Sequence, residues 1–164
     1  MSNRPQLHLT VAAVVSYQGR YLLVEECDKR TGQRVLNQPA GHVEHDESLE
    51  QAMQRELHEE TGLLLKPQSW LGISQLVLPM GDRYFRVNFV FEPAQLPEDY
   101  QPQDADILGL HWLTAEELSE HPLPLRSPLV REAIQQHQQQ LYLPLAQISG
   151  PVLLCDSTAE SKNM

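Results

Sequence analysis

Basic residues are scarce in this chain. Twelve lysines and arginines stand against twenty-two aspartates and glutamates in 164 residues, for a net charge of −10 and a pI near 5.0. So acidic a surface repels polyanions, which excludes nucleic acid and anionic membrane as partners. It also means that any small phosphorylated ligand must be drawn in by local cations. Cysteine is nearly absent: Cys27 and Cys155 lie far apart without metal-ligand spacing. That excludes a disulfide-stapled scaffold and fits a reducing compartment, with both thiols expected at core or neutral positions. No apolar run approaches the roughly 20 residues needed to cross a bilayer. Met1 to Leu9 lacks the charged-then-apolar pattern of an export signal, so a cytoplasmic location is expected. There is no internal repeat and no linker composition. One domain over residues 1–155 is expected, with a polar, disordered tail at 156–164.

The hydrophobic pattern alternates between strand and helix signals. His8–Ser16 reads as a strand buried on both faces, and a Tyr17-Gln18-Gly19 turn joins it to Tyr21–Glu26 as a hairpin. Asp28–Gln33 reads as a surface loop and Val35–Pro39 as a short strand. Leu63–Leu65 and Ser69–Leu78 read as strands separated by Lys66-Pro67, and Pro79–Asp82 turns the chain into a strand over Arg83–Glu92. Pro93–Asp106, with three prolines and four acids, reads as a loop. Leu108–Leu113 is a short strand. Helices are expected from Thr114-Ala115-Glu116-Glu117 and from Ser127-Pro128 to about Gln140, the latter with proline in its first turn. Mixed strands with helices before and after them predict an α/β/α sandwich around a mixed central sheet.

Between Gly41 and Leu63 lies GHVEHDESLEQAMQRELHEETGL. At about 100° per residue, Leu49, Ala52, Met53 and Leu57 form one apolar stripe of a helix. Glu56 and Glu60 fall inside that stripe and Glu59 on its edge. A carboxylate beside a core is strongly unfavourable unless a positive charge neutralises it. Arg55 alone cannot serve three of them. A hard divalent cation can, because its preferred ligands are carboxylate and carbonyl oxygens. A glutamate-rich helix by itself would read as an ordinary solvated acidic edge, but here the flanks point elsewhere. Pro39-Ala40-Gly41 reads as a tight loop whose carbonyls face the helix. Asp46 or Ser48 caps its start, Ser48-Leu49-Glu50-Gln51 reads as a capping box, and Gly62 ends it.

This stretch matches every fixed position of the Nudix box, G-x5-E-x7-R-E-U-x-E-E-x-G-U with U a bulky aliphatic residue, at Gly41, Glu47, Arg55, Glu56, Leu57, Glu59, Glu60, Gly62 and Leu63. The chain therefore resembles the Nudix hydrolase superfamily, whose fold is the same α/β/α sandwich. Asn37-Gln38-Pro39-Ala40-Gly41-His42, Leu125-Arg126-Ser127-Pro128-Leu129-Val130 and Leu141-Tyr142-Leu143-Pro144 make it similar to the NudJ phosphatase subfamily within that superfamily. The tryptophan usual before Asn-Gln is replaced by Leu36, in what would be one wall of the substrate pocket.

The resemblance implies a Mg²⁺-dependent hydrolase, with Mn²⁺ as a substitute, acting on diphosphate bonds. It implies nucleoside tri- and diphosphates and the hydroxymethylpyrimidine diphosphate precursor of thiamine as substrates, with release of inorganic phosphate. It further implies Glu59, Glu60 and the Ala40 carbonyl as metal ligands, and Glu56 as ligand or catalytic base. Arg55 is expected to orient Glu59 from one turn away, and Glu47 to be structural. Because some Nudix enzymes take a base or an extra ligand from a later loop, Asp104 and Asp106 are candidates for that role. Arg34, Arg86 and Arg126 are candidate phosphate clamps, the last beside a helix N-terminus. His42 and His45 bracket Glu44 without a third ligand for zinc. Trp70, Tyr84 and Phe85 read as core or pocket wall. The expected protein is a monomer or homodimer. Two other functions fit the same box: an ADP-ribose or dinucleotide pyrophosphatase, favoured by Pro79 downstream, and a catalytically inactive nucleotide sensor. The retained glutamates disfavour the sensor.

Overall fold

The computed structural model describes residues 4–152. Its strands are β1 (Leu7–Tyr17), β2 (Arg20–Cys27), β3 (Arg34–Asn37), β4 (Ala40–His42), β5 (Ser69–Val77), β6 (Arg83–Phe91), β7 (Ile107–Leu113) and β8 (Leu143–Pro144). Its helices are α1 (Leu49–Thr61), α2 (Ala115–Glu120) and α3 (Pro128–Gln138). The strands form a mixed sheet in the order β3-β2-β1-β6-β5-β8, with β4 also pairing β1 and β7 also pairing β2. β1 and β6 run parallel, and every other pairing is antiparallel.

β1 holds the centre because Val11 to Val15 are all buried, as expected for a strand covered on both faces. Alternate residues then build two cores. Val11, Ala13 and Val15 join Val87, Phe89 and Phe91 of β6 under Ala52, Met53 and Leu57 of α1. Val14, Leu23 and Val90 meet Leu118 of α2 and Val130, Ala133 and Ile134 of α3 on the other face. These two packed faces make the expected α/β/α sandwich.

Along one side of β1, β4 pairs through Thr10–Ala12 and β2 only through Ser16 and Tyr17. Its other partners therefore splay apart, and the opening between them becomes the site. Among the described residues, no helix is long and apolar enough to cross a membrane.

Three local expectations need correction. Leu63–Leu65 forms no strand; Leu63 is fully buried against the α1 core, and Gln54 Nε2 donates to the Leu65 carbonyl at 3.4 Å, so burial there comes from docking without a ladder. Ala40-Gly41, expected as a tight loop, lies in β4 opposite Ala12 and Val11. Leu36 forms no pocket wall, because it is fully buried in the α3-side core. The expected tail at 156–164, and Cys155, lie outside the described residues.

Candidate active site

Helix α1 is fixed at both ends. Ser48 is the N-cap, and a reciprocal capping box with Gln51 is present, which selects Ser48 over Asp46. Gly62 closes the other end at φ 81°, a left-handed conformation that glycine adopts without strain. So anchored, the helix turns its carboxylates to different depths. Glu60 is only 6 % exposed, and its Oε2 accepts the Ala40 N–H at 2.9 Å. Burial pushes its pKa up to about 9, reinforced by the charges of Glu26, Glu56 and Asp104 and opposed by the Ala40 hydrogen bond. Glu56 is also raised, first by burial, with Arg55 opposing. The Glu59 side chain is 46 % exposed.

Arg55 reaches all three parts of the box. Its Nε and Nη2 bind Glu47 at 2.9 and 2.7 Å, Nη1 binds Glu56 at 2.8 Å and Glu59 at 3.3 Å, and Nη2 donates to the His42 carbonyl at 3.0 Å. Glu47, not Glu59, is thus its main partner. The Arg55 hydrogen bond in turn holds the Glu47 carboxyl below the usual range. The pair pins the box loop to the helix. Gly41 sits so close beneath α1 that a Cβ there would run into the Glu56 carboxyl group.

A cavity of about 290 Å³ opens beside Glu60, with Ala40, Gly41, Glu26, Asp104, Asp106, Arg86 and Arg126 in its wall. Asp104 is delivered by the loop after β6, whose Gln103 and Asp104 amides donate to the Glu59 carbonyl at 2.8 and 2.9 Å. Asp106 Oδ2 pairs with Lys29 Nζ at 2.9 Å. Arg126 Nη1 pairs with Glu26 Oε1 at 2.9 Å. Arg86 is different: it is 9 % exposed, and its Nε and Nη1 are buried without a partner. Burial brings its pKa down to about 10, with Arg126 adding to the effect. A second cavity of about 260 Å³ adjoins the first and shares Lys29, Tyr84, Arg86 and Arg126 with it.

Arg34 does not belong to either lining. It sits opposite Cys27 on β3, and its Nε donates to Glu25 Oε1 at 2.5 Å, so the neighbouring carboxylate captures it. Cys27, expected at a core or neutral position, is exposed and lines the first cavity. His42 faces His8 at 3.3 Å rather than His45, and Tyr84 stacks on His8 with centroids 4.3 Å apart. Pro79 lies in the exposed β5–β6 turn and lines neither cavity.

Glu26 also lines the cavity, although no motif in the sequence marks it. The β2–β7 register shifts between Glu25 and Glu26, and such irregularities re-aim side chains. Glu25 therefore meets Arg34 and His111, while Glu26 enters the cavity. The available signal was an acidic pair ending an apolar strand.

Among the described residues, no three His, Cys, Asp or Glu side chains converge as a metal-binding group. Arg55 holds Glu56 and Glu59, and Glu60 faces an amide, so the carboxylates are parked on protein donors. The donor chemistry still fits a hard cation: the charges of Glu26, Glu56 and Asp104 help to raise the Glu60 pKa, Glu60 meets the Ala40 backbone, and Glu56 lies against Gly41.

A sheet split at β1, a glycine cradle under an E-x-x-E-E helix and a carboxylate-lined cavity are features of a Nudix hydrolase. The NUDIX domain model matches residues 6–135, and the chain belongs to the Nudix family. It is a homologue of the Phosphatase NudJ proteins: that of Escherichia coli K12 is 42 % identical over 141 residues, covering 86 % of this chain and 90 % of that protein, and the Shigella flexneri protein matches equally. A solved NUDIX hydrolase from Nitrosomonas europaea superposes with a TM-score of 0.78 at 34 % identity, covering 89 % of this chain and 97 % of that one. The NUDIX domain of Shewanella oneidensis NrtR, complexed with ADP ribose, shares the fold with a TM-score of 0.63 at 24 % identity, covering 82 % of this chain and 90 % of that one.

Proposed function

We propose that this Nudix hydrolase is a divalent-metal-dependent phosphatase of nucleoside tri- and diphosphates, and of hydroxymethylpyrimidine diphosphate, that releases orthophosphate in the cytoplasm. The observation that carries this reading is the pairing of acids with cations in the adjoining cavities. Glu26, Glu60, Asp104 and Asp106 line the first, and Lys29, Arg86 and Arg126 line both. A diphosphate with a bound cation offers a partner to each set.

Glu56, Glu59, Glu60 and the Ala40 carbonyl are the residues that would hold Mg²⁺, or Mn²⁺ in its place. Such a cation supplies charge neutralisation and activates water. The protein's own contributions are positional and electrostatic. Arg55 releases Glu56 and Glu59 from its Nη1 while keeping Glu47, so the box loop stays pinned as the carboxylates turn. Glu60 gives up the proton that burial lets it keep at neutral pH. Arg86 and Arg126 orient phosphate oxygens. Glu56, Asp104 and Asp106 are the candidates to take a proton from the attacking water.

A panel of nucleotides assayed with Mg²⁺ and with EDTA tests this reading. Orthophosphate should appear from both tri- and diphosphates, and only with the metal. Preferential cleavage of ADP-ribose or a dinucleotide would favour a pyrophosphatase instead. Binding without turnover would favour a sensor.

A further inference from the structure

The second cavity holds charges that the metal-binding end does not explain. Lys29, Arg30, Arg86 and Arg126 line it against the single carboxylate of Asp28. In a chain with only twelve lysines and arginines and a net charge of −10, four cations around one hollow is a marked concentration. The Asp28 carboxyl is already occupied, since it accepts the Arg30 N–H at 2.8 Å. Arg126 is paired with Glu26 and Lys29 with Asp106. Arg86 has no such partner, although a buried guanidinium without acceptors is strongly unfavourable.

The start of α3 lies in the same lining through Ser127. Ser127 has the extended backbone of an N-cap (φ −156°, ψ 164°), but its side chain makes no cap hydrogen bond. Its Oγ is buried without a partner. A serine at this position ordinarily accepts a first-turn amide proton. Here the positive end of an eleven-residue helix and a free hydroxyl donor are left facing a hollow that also contains a guanidinium lacking acceptors.

We propose that Arg86, Ser127 Oγ and the N-terminus of α3 form a phosphate subsite that works without metal, and that it takes the terminal phosphate of the substrate and then the product orthophosphate. The assignment to substrate rests on the function proposed above; the anion site itself does not. A tetrahedral dianion seated in this hollow can accept from an Arg86 N–H and from the Ser127 hydroxyl while it meets the positive end of the helix dipole. Burial draws the Arg86 pKa down to about 10, and an anion beside it would raise it again. Arg126, Lys29 and Arg30 stand at the rim as exchangeable cations. Orthophosphate should accordingly be a competitive product inhibitor.

The test is direct titration of the full chain with inorganic phosphate in EDTA, followed by calorimetry and by ³¹P line broadening. Saturable binding to one site is expected. Arg86→Gln should weaken it by roughly ten-fold or more. Ser127→Asp, which places a carboxylate at the helix start while capping it, should do the same with the fold retained; that variant decides the matter if Arg86→Gln fails to fold. Glu60→Gln should bind phosphate like the wild type. No binding in EDTA, unchanged affinity in Ser127→Asp, or loss of binding in Glu60→Gln would each overturn the proposal. Intact phosphate binding by a protein that hydrolyses nothing with Mg²⁺ would sink the proposed function and leave this subsite standing.

Discussion

Glu60 concentrates the chemistry of the site in one side chain. It is buried beside a backbone amide and pressed by three other carboxylates, so its proton is retained far above the ordinary range, to about 9. Because the folded-state pKa is raised above the ordinary glutamate value of 4.5, the metal-free protein has its full Glu60-dependent stability below about 4.5. That stability is lost progressively as pH rises towards 9. Glu60→Gln keeps the shape and cannot ionise. Thermal melts in EDTA should therefore show the variant gaining on the wild type from pH 5 to pH 9; parallel curves would mean that Glu60 ionises freely. The same substitution should lower kcat on the order of 10²-fold or more in Mg²⁺, and wild-type turnover would remove Glu60 from the site. The placement of Glu56 and Glu60 is legible in the sequence because helical periodicity sets both within the apolar stripe. The fate of Arg34 is not. Its capture by Glu25 depends on the β2–β3 register opposite Cys27, which no local pattern encodes. Glu26 is hidden for a related reason, a register shift that belongs to strand pairing.

At the scale of elements, α1 works as a rigid arm whose two ends are locked by different devices. The capping box holds the start, and Gly62 both ends the helix and lets the later loop approach. A Cβ at Gly62 would run into the Gln101 backbone, and the φ of 81° is unfavourable for any L side chain. Gly62→Ala should thus destabilise the protein by about 1–3 kcal/mol, read as a lower denaturation midpoint with an unchanged slope. Activity should fall too, because the same loop brings Asp104 to the cavity through the Glu59 carbonyl. A stability loss with full activity would separate that loop from the site. Helix ends of this kind are visible in sequence through Ser48, Gln51 and Gly62. β4 and β8 are not, since three and two residues are too few to show a period. Leu63–Leu65 misleads for the opposite reason: a short apolar run looks alike whether it pairs with a strand or packs beneath a helix.

For the whole molecule, the sheet separates two faces with different tasks. The α1 face brings Glu60 to the cavity, β6 and the start of α3 bring Arg86 and Arg126, and all three line the same cavity. Metal-free, the carboxylate side is a standing electrostatic strain on the fold. Millimolar Mg²⁺ or Mn²⁺ should relieve it and raise the melting temperature by mass action, and should not do so in a Glu59→Gln/Glu60→Gln double variant. Equal stabilisation of both proteins would place the cation elsewhere, for instance on the acidic loop between β6 and β7. The layered fold is readable from alternating strand and helix signals, and the α1 end of the site from a local motif. The cationic part is assembled from the loop after β2, from β6 and from the start of α3, segments distant in sequence.

Which phosphorus is attacked depends on how these two ends hold the substrate, and isotope incorporation reads it directly. A nucleoside triphosphate should be hydrolysed with Mg²⁺ in ¹⁸O-labelled water and the products separated by mass. Label in free orthophosphate, with unlabelled nucleoside diphosphate, is the expected result for water attacking the terminal phosphorus held beside Arg86. Pyrophosphate as the main product, or label left in the nucleotide, would contradict it.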